Sequence, residues 1–339
     1  MSAVTQKLSP GINGTEPAVS VIALERLHDI WRYAEPPLNW SCLFVLPPWL
    51  SAWWQVFGEG MEPEVLRVRK GERILGLAPL VVRDRSARLM GHPDVCDYLD
   101  VVVDPENTAQ FFKSLLKYLV RRGIRRLDLG PLRPESPLLV KGSPMAAQTG
   151  NRVVCEKTEV AMELPLPTGW ETYLQMLAGK QRHEIRRKLR RLHEAAAVRY
   201  RVVTGGDAME SALDRFLDLF GANRADKRVF MTDRMQLFFR QLARNMGAWQ
   251  MLRLGLLELD GDPAAAVMCF DHRGTTYLYN NGYARKYRHL SVGLLSKALA
   301  IKDSIERGMK RFDLLKGGET YKRHLGGREI PLYRCRINL

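Results

Sequence analysis

Residues 122–129, Arg-Gly-Ile-Arg-Arg-Leu-Asp-Leu, return in conservative form at residues 307–314 as Arg-Gly-Met-Lys-Arg-Phe-Asp-Leu. A segment repeated half a chain later restricts the fold to one that builds the same unit twice. Each copy ends an amphipathic stretch. Phe111, Phe112, Leu115, Leu116 and Leu119 recur at helical spacing over residues 107–121, as do Leu294, Leu295, Leu299 and Ile305 over 291–307. Gly123 and Gly308 stand where a helix is expected to stop, because a left-handed residue there satisfies end carbonyls without a Cβ clash. Strands are expected next, over 125–129 and 310–315.

Upstream, each half shows a strand pair joined by a glycine turn: residues 64–69 with 74–82 around Gly71, and 251–259 with 264–271 around Gly261. A third strand is expected in each half, over 98–103 and 275–283. Residues 131–150, rich in Pro, Gly and Ser, read as a connecting loop. The boundary falls near Cys155, giving a disordered tail over 1–18, one domain over 19–155 and another over 156–339. The fold class is α/β (α+β): two tandem units, each a mixed, mostly antiparallel sheet flanked by helices.

A chain of 339 residues, 46% hydrophobic, has material for two cores. No secretory signal or membrane span fits. The apolar run 43–54 is short and interrupted by Pro47 and Pro48, so it reads as a buried turn and helix start. The five cysteines, Cys42, Cys96, Cys155, Cys269 and Cys335, are far apart and odd in number. They are expected as reduced thiols of a cytoplasmic protein, without metal-site spacing. A net charge of +15 favours anionic partners such as phosphates, nucleic acid or lipid head groups.

The element order, with Pro48-Trp49-Leu50, Gly76-Leu77-Ala78-Pro79-Leu80, Asp97-Tyr98-Leu99-Asp100, Arg182-His183-Glu184-Ile185-Arg186-Arg187, Ser291-Val292-Gly293-Leu294-Leu295 and Phe312-Asp313-Leu314 followed by Gly317 and Tyr321-Lys322, resembles the GNAT acyltransferases. More narrowly, it is similar to the tandem-GNAT acetyltransferases associated with cellulose and exopolysaccharide biosynthesis. Fem-type enzymes, which use aminoacyl-tRNA, are related tandem folds. The resemblance implies an acyl-CoA co-substrate, acetyl-CoA in the simplest case, and no metal. It aligns residues 288–293 with the loop that holds the CoA diphosphate at a helix start, where exposed N–H groups and the helix dipole favour an anion. Ser291 stands where that loop has its first glycine.

The cofactor-binding candidates are therefore Arg285, Arg288, Ser291, Val292, Gly293 and Leu294, with Lys286 as a further phosphate neutraliser. The matching N-terminal segment, Asp104-Pro105-Glu106-Asn107, is acidic and should repel a diphosphate, so the donor site is assigned to the C-terminal unit alone. Backbone N–H groups around residues 279–282 are the expected oxyanion donors. The catalytic candidates are Tyr321 as acid, Asp313 as base and Lys322. Against Asp313 stands its counterpart Asp128, which points to a structural role for both. The ordinary alternative for Lys322 is a solvated surface lysine. Glu319 and His289 rank lower.

Residues 180–196 place Ile185, Leu189, Leu192 and Ala196 on one helical stripe and cover the rest with Lys and Arg. Arg182, Arg186 and Tyr279 are the substrate-binding candidates. The expected partners are a small-molecule or saccharide acceptor and an anionic membrane surface. Nucleic acid is disfavoured because no aromatics interleave the arginines, with tRNA left open. The expected function is acyl transfer to an amine or hydroxyl. The alternatives are an aminoacyl-tRNA-dependent transferase and a non-catalytic accessory protein of exopolysaccharide synthesis.

Overall fold

The computed structural model describes residues 16–223 and 229–339. The expected tail over 1–18 lies outside them, apart from its last three residues, and the first strand already begins at Ala18. The first half runs β1 (Ala18–Ile22), α1 (Arg26–Tyr33), α2 (Pro47–Phe57), β2 (Glu62–Lys70), β3 (Arg73–Arg83), β4 (Ser86–Leu89), β5 (Val102–Val103), α3 (Thr108–Arg121), β6 (Arg126–Leu132), α4 (Ser143–Gln148) and β7 (Arg152–Pro165). The second runs α5 (Trp170–Met176), α6 (Gly179–Ala195), β8 (Val198–Val203), α7 (Ala208–Asn223), α8 (Asp233–Ala248), β9 (Leu252–Leu259), β10 (Asp262–His272), β11 (Thr275–Tyr283), α9 (Val292–Glu306), β12 (Arg311–Lys316), α10 (Thr320–His324) and β13 (Arg328–Asn338).

One continuous mixed sheet results, in the order β1-β2-β3-β4-β6-β13-β7-β12-β11-β10-β9-β8, with β5 on β3. The order reads the same from either edge, as a duplicated unit requires. Both copies of the repeat close their helix alike. Ile124 N–H reaches Leu119 O and Met309 N–H reaches Ser304 O, each across a glycine with φ near 75° (Gly123 at 79°, Gly308 at 74°). This six-to-one bond absorbs an end carbonyl and turns the chain into the following strand.

The last strand of each unit is exchanged. β7 leaves its own half to pair with β12, and β13 crosses back to pair with β6. The registers match: Arg126, Leu127 and Asp128 face Asn338, Ile337 and Arg336, as Arg311, Phe312 and Asp313 face Pro165, Leu164 and Glu163. β7 and β13 pair with each other along the seam. The boundary expected near Cys155 thus falls inside β7. A second seam runs through α2, buried along most of its length, which packs on α8: Asn245 donates to Pro48 O (3.3 Å) and Arg234 to Val56 O (3.0 Å). One apolar cluster consequently spans both halves, beside two smaller ones confined to residues 162–325.

Four expectations change. The third N-terminal strand is β4, and residues 98–103 contribute only the two-residue β5. The stretch Ser86-Ala87-Arg88-Leu89 is short and lacks β-branched residues, yet it pairs with β3 at residues 80–83, which leaves Val102 and Val103 only Leu77 and Gly76 to pair with. Residues 131–150 are not a plain loop. A π-helical turn over Leu138–Gly142 and α4 occupy them, anchored by buried Leu138 and Ala146. The third correction concerns the thiols. Cys155 and Cys335 face each other across β7 and β13 and form a disulfide, with Cα atoms 4.1 Å apart, while Cys42, Cys96 and Cys269 are free and buried. Finally, Lys322 is buried rather than solvated. No helix among the described residues is long and apolar enough to cross a membrane.

Candidate active site

β11 and β12 run parallel but pair over three residues only, Thr275–Tyr277 with Arg311–Asp313. Beyond that point they part. β11 stays on β10 as far as Tyr283, with a bulge at residue 279, where Leu278 faces Cys269 and Asn280 faces Met268. The extra residue interrupts the ladder and leaves backbone groups of this stretch outside regular pairing. β12 turns away at Leu315, whose φ of 61° is costly for a bulky side chain. The strands open into a cleft of about 460 Å³, walled by Leu278–Asn281 of β11, Leu314–Lys316 of β12, and Glu319, Tyr321 and Lys322 after it. Asp94 and Asp97 enter this cleft from the N-terminal half.

Two of the three catalytic candidates hold the cleft wall. Asp313 is 1% exposed. Its Oδ1 accepts from the Leu315 N–H (2.8 Å), and its Oδ2 accepts from Tyr98 Oη (2.7 Å) and Arg133 (3.3 Å). Burial raises its carboxyl above the ordinary range, against the pull of Arg133. Both oxygens are spent, and one of them pins the strained Leu315 backbone. Lys322, 3% exposed, donates from Nζ to the carbonyls of Leu315 (3.2 Å), Lys316 (2.5 Å) and Gly317 (3.3 Å) and pairs with Glu319 (3.0 Å). A buried ammonium ringed by carbonyls fixes this turn. Asp128, the counterpart of Asp313, is likewise held by an arginine from across the seam, Arg334 of β13 (2.6 Å). Sequence alone could not separate these roles, because both side chains sit beside the cleft residues in the chain.

Tyr321 differs. Its half-buried ring lines the cleft, its hydroxyl makes no hydrogen bond among the described residues, and burial, reinforced by Glu319, raises its phenol so that it keeps its proton. Lys297 of α9 lies 4.8 Å above the ring and donates to Gly293 O (2.5 Å), linking the cleft to the start of α9.

That helix start is built unlike an ordinary cap. Ser291 is left-handed (φ 60°) and its side chain caps nothing. The first intrahelical bonds run from Leu294 and Leu295 to Ser291 O, so the N–H groups of Val292 and Gly293 precede them. Gly293 packs against Tyr283, whose ring an added Cβ would meet at 2.7 Å. Arg285 and Arg288 are exposed, with no ion pair among the described residues, whereas Lys286 is spent on Asp262 (2.7 Å). Leu192 of α6 packs with Leu290, Val292 and Leu295, bringing the basic helix beside this mouth. On α6, Arg186 is paired with Glu171 (2.5 Å), while the half-buried Arg182 has no such partner among the described residues. Tyr279 lines the cleft, but its hydroxyl donates to Val95 O (3.1 Å). Sequence reasoning missed Asp97, whose signal was its place four residues beyond the loop proline Pro93, in Asp97-Tyr98-Leu99-Asp100.

The equivalent opening in the N-terminal half lies past β4 and β6, which also pair over three residues, Ser86–Arg88 with Arg126–Asp128. It holds about 550 Å³, lined by Arg88, His92, Asp128, Glu159 and Arg334 among others.

Residues 179–323, from the start of α6 to the residue after Lys322, match the family model described as Acetyltransferase (GNAT) domain. Among solved structures, FemX is similar over 94% of this chain and 96% of its own, with 10% identity and a TM-score of 0.65. The C-terminal domain (DUF2156) of a putative lysylphosphatidylglycerol synthetase from Agrobacterium fabrum is similar over 93% and 90%, with 12% identity and a TM-score of 0.56. L-PGS from Bacillus licheniformis follows, over 77% and 80%, with 12% identity and a TM-score of 0.51. At such identities the likeness is one of fold. No curated protein matches the chain.

Proposed function

We propose that the protein transfers an acyl group, most simply acetyl, from coenzyme A to an amine or hydroxyl of a small molecule or saccharide precursor. One observation carries this reading: the uncapped start of α9, flanked by Arg285 and Arg288, which have no ion pair among the described residues, is joined through Lys297 to the cleft that Tyr321 lines. A diphosphate suits such a mouth, because it takes up N–H groups that nothing among the described residues caps and meets two guanidinium groups. The thioester then enters between β11 and β12, where backbone N–H groups near the bulge face the developing oxyanion. Tyr321, held neutral, supplies a proton to the departing thiolate. The second cleft, where Arg88 and Arg334 face Asp128 and Glu159 beside Leu89 and Leu99, suits a saccharide acceptor, whose hydroxyls and ring faces need both polar and apolar partners.

Calorimetry tests the donor. Wild type binds coenzyme A, and Arg285→Ala with Arg288→Ala weakens binding by about 100-fold, two charge-assisted bonds at about 1.5 kcal/mol each. No binding by wild type overturns the reading and favours an accessory role. The likeness to FemX gives an aminoacyl-tRNA donor some weight. It calls for tRNA binding with a steep salt dependence that falls when Arg182 and the exposed Arg191 are removed.

A further inference from the structure

Acyl transfer, if it is the reaction of this cleft, needs a base: the acceptor's N–H or O–H must lose its proton as the new C–N or C–O bond forms and the C–S bond breaks. We propose that Asp97, delivered by the N-terminal half, is that base. The proposal rests on the acyl-transfer reading above. The acceptor proton passes to the Asp97 carboxylate, and the thiolate takes its own from Tyr321.

Position comes first. Asp97 lines the cleft together with Asn280, Asn281 and Tyr321. Its neighbours on either side are tied to the cleft walls, Val95 O accepting from Tyr279 Oη (3.1 Å) and Tyr98 Oη donating to Asp313 (2.7 Å). Lys316 Nζ, from the opposite wall, donates to Pro93 O in the same loop (2.8 Å). The loop therefore holds its aspartate at the opening as rigidly as the strands hold theirs.

Elimination comes second. Asp313 has no oxygen left, Glu319 is engaged by Lys322 and half exposed, and among the described residues no histidine lines the cleft. Asp94 is exposed to solvent. His289 is exposed and bonded to Lys286 O.

The electrostatics agree with the task. Burial pushes the Asp97 carboxyl up to about 6, opposed by the ammonium groups of Lys316 and Lys322 and by the Lys316 N–H, and helped by Asp313. Asp94 and Glu319 are the other charged groups of the cleft. A carboxylate with such a value is ionised at neutral pH yet more basic than a solvated one.

The test uses the full-length protein, acetyl-CoA as donor and glucosamine as acceptor, with thiol release as the signal. Asp97→Asn should lower kcat by about 100- to 1000-fold while coenzyme A affinity stays within about twofold of wild type. The wild-type rate should rise through a limb near pH 6 that Asp97→Asn lacks and Asp97→Glu keeps. Independently of turnover, carbon-13 NMR of the aspartate carboxyls should find one that titrates near 6 and vanishes in Asp97→Asn. An Asp97→Asn enzyme within threefold of wild type, or an Asp97 midpoint near 4, would overturn the proposal. Coenzyme A binding that persists in either event leaves the donor assignment standing, whereas its absence from wild type removes the reading beneath.

Discussion

On the 3-10 turn over residues 105–107 that leads into α3, the Asp104 carboxylate turns back onto the helix entry, accepting from the Glu106 N–H (3.1 Å), Asn107 Nδ2 (2.7 Å) and Arg73 (2.6 Å). At the helix entry of the second unit, Ser291 leaves the first N–H groups of α9 uncapped, and Arg285 and Arg288 have no ion pair among the described residues. Duplication supplied two mouths with the same preference for an anion. One is filled from within the chain and the other is not. The strands follow suit: β11 is nine residues long and bulged, β4 only four and regular. The two half-sites thus differ in whether the protein satisfies its own backbone, the difference on which the proposed donor site rests.

The comparison breaks most sharply by copying one mouth onto the other. Ser291→Asp gives α9 its own anion, and aspartate tolerates the left-handed backbone better than most residues. Coenzyme A affinity should fall by about 100-fold, roughly 2.7 kcal/mol, with the thermal midpoint nearly unchanged. Retained affinity would show that the diphosphate does not use this helix start.

The converse change costs stability instead. Asp104→Ala removes the cap of the turn that leads into α3 and leaves Arg73 without its buried partner, for a loss of about 1–2 kcal/mol by denaturant titration, and coenzyme A affinity should not move. Burial works against ionised Asp104, but Asn107, Arg73 and the Glu106 N–H outweigh it and lower its pKa. A lowered folded value means that the carboxylate's contribution is complete above the unfolded value of about 3.9 and fades as pH falls through the folded one. Wild type and Asp104→Ala should therefore converge in acid, and a gap independent of pH would point to packing alone.

Much of this contrast is legible in the chain. The acidic run 104–107 against the basic run 285–288, the stop glycines and the stripes of α3 and α9 are local patterns, and local hydrogen bonding and burial obey them. Readings that needed partners distant in sequence fared worse. Asp313 and Lys322 looked reactive because their occupants, Tyr98, Arg133 and the 315–317 carbonyls, are fixed only by folding. The exchange of β7 and β13 left no mark in composition, since each strand keeps its own pattern whichever half it joins. Asp97 stayed hidden for the same reason: its cleft belongs to the other repeat.

The smallest expected effect concerns the residue at which the two mouths diverge. A left-handed serine costs roughly 1–2 kcal/mol relative to glycine, and part of that returns because glycine loosens the unfolded chain by about 0.4–1 kcal/mol. Ser291→Gly should then stabilise the protein by less than about 1 kcal/mol, read as a small rise in midpoint, with coenzyme A affinity kept or slightly improved. The side chain caps nothing and so has little to lose. A clear destabilisation would mean that the Ser291 hydroxyl has work of its own, and the most direct place to look for it is against the diphosphate.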